Sequence, residues 1–132
     1  MRAFRVLVRN ALFQRVLLAA ADDPAGLGEL DAQDGFDRSA WDNVLEEYYE
    51  SHDEVGTDAD ARSMQYLALD ETGAASSPRV WRARQTFADP SGDRDFGFSA
   101  TIDLDASDEA GEAVVRVTEI VRFDGWSEVD VD

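Results

Sequence analysis

The chain has 132 residues and a net charge of −17, set by 12 cations against 29 acids, and contains no cysteine. That length suits one domain burying roughly two-thirds of the surface its unfolded form exposes. The missing cysteine excludes disulfides, thiolate zinc sites and a thiol nucleophile, and fits a reducing compartment, with the cytoplasm as the default. Every cation is arginine, so a P-loop, whose lysine holds the β and γ phosphates, is excluded too.

The first 21 residues hold four arginines, Arg2, Arg5, Arg9 and Arg15, and no acid. The remaining 111 hold eight arginines and all 29 acids, a balance of −21. Periodicity predicts a helix from about Ala3 to Ala21 with two apolar stripes: Phe4, Leu7, Val8, Ala11 and Leu18 on one side, Val6, Phe13 and Leu17 on the other. The chain itself covers one stripe, and the second is a candidate docking face, with Arg2, Arg5 and Arg9 beside Val6, Phe13 and Leu17. Arg9 and Arg15 interrupt any signal-peptide core, and no run approaches the ~20 apolar residues of a membrane span, so the segment reads as part of the fold. Neither a membrane nor, given the acidic charge, direct nucleic-acid binding is expected. The all-arginine, Asp-rich usage fits both a GC-rich genome and adaptation to high salt.

Asp22-Asp23-Pro24 stops this helix, and Gly26, Gly28 and Gly35 mark the following stretch, up to Phe36, as an ordered loop anchored by Leu27 and Leu30. A second helix starts at Asp37 or Ser39, carries Trp41, Val44, Leu45 and Tyr48 on one face, and ends near Gly56. Thr57 then caps a single turn through Arg62. Beyond it the period changes to two, giving strands at Met64–Leu69, Val80–Phe87, Phe96–Leu104 and Ala113–Phe123, joined by turns. The expected architecture is α+β: two main helices on one face of a four-stranded, curved antiparallel sheet, helices first and strands after. The units are a basic helix (1–21), a loop and second helix (22–62), the sheet (63–124) and an acidic tail (125–132).

Alternation assigns Trp81, Ala83, Phe87, Phe96, Phe98, Ala100, Ile102, Leu104, Val115, Val117, Val121 and Phe123 to the inner face. Arg82, Arg84, Thr101, Asp103, Arg116, Thr118 and Arg122 fall outside, where opposite charges on neighbouring strands pair. By the same rule Gln85 and Glu119 flank Phe98 inside, and Arg15, within the first stripe, is a candidate partner for Glu119. A carboxylate there would be desolvated, as a general acid or ligand anchor is.

Other motifs are weaker. Asp103, Asp105 and Ser107 have the spacing of a calcium loop, but Asp108 stands where its glycine belongs and Val114 where its Glu belongs. Asp108-Glu109-Ala110-Gly111 matches part of a DEAD box yet falls in an expected hairpin turn. His52, the only histidine, lies beside Asp53 and Glu54 near a helix end and has neither a second His nor a Cys as a zinc partner. It reads as a surface or helix-capping histidine, and no metal, cofactor or catalytic residue is expected.

Three blocks carry a likeness: Val8 to Val16 with Leu27-Gly28-Glu29-Leu30-Asp31; His52 to Thr57 with Asp60-Ala61-Arg62; and Trp81 to Gln85 with Asp89-Pro90 and Gly92-Asp93. Together with Asp103-Leu104, Ala106 to Glu109 and Gly111, they resemble the uncharacterised C-terminal domain of a bacterial family of superfamily II DEAD/DEAH-box RNA helicase-like proteins. The resemblance spans nearly the whole chain; Phe96 stands where the family favours tryptophan. It implies an ATPase core upstream, to which this chain is a non-catalytic accessory domain. It transfers no catalytic residue. The expected partner is the helicase core of the same polypeptide, with self-association through the first helix when the domain stands alone. The competing expectation is a free-standing ligand-binding or hydrolytic module with a pocket near Gln85 and Glu119.

Overall fold

A computed structural model describes residues 2–122. Four α-helices and a four-stranded antiparallel sheet, open at both edges, form an α+β fold. Helix α1 spans Arg2–Ala20, α2 Pro24–Asp31, α3 Arg38–Ser51 and α4 Leu104–Ala110; the strands are β1 Leu67–Asp70, β2 Val80–Thr86, β3 Phe96–Asp103 and β4 Val115–Arg122. They pair in chain order as a meander. No helix among the described residues is long and apolar enough to cross a membrane.

The segment expected to be a loop contains α2. Helix α1 ends at Ala20, closed by Asp22 at a left-handed φ of 52° and by the Asp23 N–H donating to the Leu18 carbonyl, and Pro24 opens the next helix, because a proline in the first turn has no N–H to leave unpaired. Asp23 caps that turn by accepting from the Gly26 N–H. Gly28 belongs to a helix contact and not to a flexible connection, since a Cβ there would stand 2.5 Å from the Arg38 nitrogen.

Helix α3 starts at its Asp37 cap as expected, but ends at Ser51, with His52 already extended. The turn after it is capped by Asp58 and not Thr57, the Asp58 carboxylate accepting from the Ala61 N–H. The third connection, expected to be a hairpin turn, is α4. Asp103 caps it by accepting from the Ala106 N–H, and Gly111 ends it at a left-handed φ of 71°. The calcium-like spacing and the partial DEAD box are thus the cap and body of a short helix.

Helices α1 and α3 pack on one face of the sheet. Trp41 from α3 meets Phe98 edge to face at 5.9 Å, Tyr48 does the same with Phe87 and Phe96, and Phe4 from α1 meets Trp81 at 5.2 Å. Trp81, Ala83, Gln85, Phe87, Phe96, Phe98, Ala100, Ile102, Leu104 and Val117 are all buried there, as alternation requires. The acidic tail (125–132) and Phe123 lie outside the described residues.

Candidate functional site

Helix α1 buries the wedge between its two sequence stripes. Val8, Leu12, Arg15, Val16 and Ala19 are buried, and Phe13 joins them beneath the Arg62 guanidinium, 4.4 Å from the ring centroid. Phe13 is therefore not part of a free docking face. Arg5 is engaged as well, donating through Nε and Nη2 to Glu71 at 2.6 and 2.7 Å. That contact raises the Arg5 pKa and lowers that of Glu71. Val6 and Leu17 remain 48% and 47% exposed, and Leu7, assigned to the covered stripe, is 45% exposed. With Ala3, Asn10 and Gln14 they make an exposed strip without a charge, in a chain of net −17. Arg9 is exposed beside it.

The expected inner-face site of Arg15, Gln85 and Glu119 is not assembled. β4 carries a bulge: Ala100 pairs with Val117 and Ser99 with Glu119, leaving Thr118 as the extra residue. One extra residue reverses the alternation beyond it, so Glu119 is exposed on the outer face and Ile120 is buried opposite Phe98. Gln85 is buried as expected and donates to the Tyr66 carbonyl. Arg15 turns to Asp31 of α2. Its Nη2 lies 2.6 Å from Asp31 Oδ1, and its Nε lies 3.1 and 3.2 Å from the two carboxylate oxygens. The Trp41 indole N–H also donates to Asp31, and Arg15 Nη1 donates to the Ala11 carbonyl. This network joins α1, α2 and α3 and engages the Asp31 carboxylate fully.

The uncovered face of the sheet holds a cavity of about 450 Å³. Its polar lining includes Asp70, Arg82, Arg84, Thr101, Thr118 and Glu119. The expected cross-strand pairing is present beside it, Arg116 donating to Asp103 at 3.3 Å.

The most unusual side-chain cluster surrounds His52. As expected, this residue sits at the C-terminal cap of α3, its N–H donating to the Tyr48 carbonyl. It is buried, however, and faces neither Asp53 nor Glu54. Nε2 lies 3.0 Å from Asp95 Oδ1 and Nδ1 lies 3.6 Å from Asp89 Oδ2. Asp89 is itself buried and accepts the backbone N–H groups of Asp93 and Arg94. Burial alone would raise its pKa; those two hydrogen bonds and the neighbouring His52 outweigh it and hold the carboxyl below its ordinary range. On the other side, burial and the Asp89 charge push the Tyr48 phenol well up. The turn expected at Asp89 to Asp93, continued to Asp95, is thus the wall of a histidine site. The acids at 89, 93 and 95 are visible in the sequence, but only the fold brings them to His52.

The family model for a domain of unknown function, DUF3516, matches residues 1–120. The chain belongs to this family. No curated protein and no solved structure matches it. The DUF3516 match covers α1 through nearly all of β4, so the α1 strip, the Arg15–Asp31 network and the His52 cluster all lie within the family's span.

Proposed function

We propose that this DUF3516 chain is a non-catalytic accessory domain of a DEAD/DEAH-box RNA helicase-like protein, docked on the helicase core through the exposed strip of α1. The observation that carries this reading is the strip itself. Val6, Leu7 and Leu17 stand about half exposed along one side of a helix whose opposite side is already committed to the core. An uncharged surface of this kind on so acidic a chain favours a protein partner over solvent. The absence of lysine, and with it of a P-loop, supports placing ATP chemistry elsewhere in such a protein. The likeness of the sequence blocks to helicase-like proteins supplies the identity of the partner.

Binding of this chain to a separately produced helicase-like core from the same open reading frame tests the proposal. The double variant Val6→Glu/Leu17→Glu alters two surface positions, so it should keep the parent's melting temperature within a few degrees while weakening core binding at least tenfold. A parent chain that ignores the core, or a variant that binds as well as the parent, overturns it. Light scattering on the isolated chain should likewise show self-association that the double variant loses.

A further inference from the structure

We infer that His52, Asp93 and Asp95 form a binding site for one divalent transition-metal ion, with Asp89 holding the histidine ring from behind. A neutral imidazole offers one N–H and one lone pair. Here both nitrogens face carboxylates, Asp95 at 3.0 Å and Asp89 at 3.6 Å. Whichever tautomer is present, one lone pair points at an anion unless a cation stands between. The side chain is 2% exposed, so water cannot mediate freely, and Nδ1 makes no hydrogen bond among the described residues.

Two further observations favour a metal ion over a second proton. A third carboxylate, Asp93, completes a set of ligand atoms from His52, Asp93 and Asp95 that all lie within 4.8 Å of one another. Arg94, the cation between the two acids, is turned away. It donates to the Gln65 side chain at 3.1 Å and lies over the Tyr66 ring at 4.8 Å. The acids around His52 are therefore left without the arginine that stands between them in sequence.

One imidazole with two carboxylates is a donor set for Zn²⁺ or Mn²⁺ rather than for a cation held by oxygen alone. Tetrahedral coordination with bonds of ~2.1 Å puts ligand atoms ~3.4 Å apart. Asp93 is exposed and Asp95 partly so, and their side chains can supply that contraction. With Nε2 given to the metal, the ring proton sits on Nδ1 and faces the Asp89 carboxylate at 3.6 Å, and Asp89 is itself fixed by two backbone N–H groups. Three protein ligands near the surface leave at least one position open to solvent.

Calorimetric titration of the chelator-stripped full chain with ZnCl₂ and with MnCl₂, in 150 mM salt to suppress diffuse binding to the acidic surface, tests the site. One equivalent should bind with a rise in melting temperature, and CoCl₂ should give the d–d absorption of a nitrogen- and oxygen-ligated ion. Asp93→Asn leaves the backbone N–H to Asp89 in place, so the metal-free melting temperature should hold while affinity falls at least tenfold. His52→Gln should abolish binding, and Asp93→Asn keeps the test decisive if that variant does not fold. Absence of stoichiometric binding, or an Asp93→Asn variant that binds as tightly as the parent, overturns the inference and leaves a proton as the occupant of the gap.

Discussion

The side chains with the largest individual consequences are polar and buried. Asp31 is fully enclosed and accepts from both Arg15 and Trp41. Removing a carboxylate from such a network leaves a guanidinium in an apolar interior with no counter-charge, which costs far more than the pair contributes. Asp31→Ala should lower unfolding free energy by ~3–5 kcal/mol in urea titration, whereas Arg15→Leu/Asp31→Leu should cost less than the sum of its single changes. Equal, additive losses would show that the two residues act separately. The position of Arg15 within the first apolar stripe already predicts its burial. Its partner is Asp31 and not Glu119, and the composition of the 22–36 segment hides this, because it is that of a loop, where a carboxylate is ordinarily solvated.

Among the elements, β4 shows how one residue redirects a face. Thr118 is the extra residue opposite the Ser99–Ala100 step, and the reversal it causes sends Glu119 outward and Ile120 inward. With Thr118 deleted, Val117, Glu119 and Ile120 become consecutive and alternate in, out, in without a bulge. The deletion should therefore fold, with stability within ~1 kcal/mol of the parent and Ile120 still protected from solvent. Unfolding of the deletion variant would mean that the bulge itself is needed, for instance to shape the outer cavity to which Thr118 and Glu119 contribute. Strand existence, order and most inner-face residues were legible from alternation, because period two is written directly into the side chains. The bulge was not, since an inserted residue is invisible until the partner strand supplies a register. Helices α2 and α4 were missed for a related reason: short helices carrying Gly, Asp and Ser have the composition of turns, and their caps become recognisable only when a side chain is seen to reach its N–H.

For the whole molecule, charge sets the response to pH and salt. Asp70 is held below its ordinary pKa by Thr72, Glu71 by Arg5, and Asp103 by the Ala106 N–H; Asp89, despite its burial, is lowered by the Asp93 and Arg94 N–H groups. Each is ionised in the folded state at a pH where the unfolded chain already binds the proton. Their stabilising contribution is thus complete above ~pH 5 and is lost as pH falls through ~4 and below. Chemical denaturation between pH 6 and pH 3 should show a falling midpoint, and a midpoint that rises instead would mean that relief of acidic self-repulsion dominates. At pH 7 the same self-repulsion predicts a higher melting temperature in 500 mM than in 20 mM NaCl, measurable by circular dichroism.

The sequence by itself determined the α+β class, the amphipathic character of the first helix, the meander of four strands and the exclusion of P-loop and thiolate chemistry. These properties reside in local periodicity and in which residue types are present at all. Only the tertiary structure decided which part of α1 is buried, which acid meets Arg15, which way Glu119 points, and that His52 lies among Asp89, Asp93 and Asp95. Each of those depends on a contact between residues distant in sequence, and helical or strand periodicity specifies a face without specifying what that face will meet.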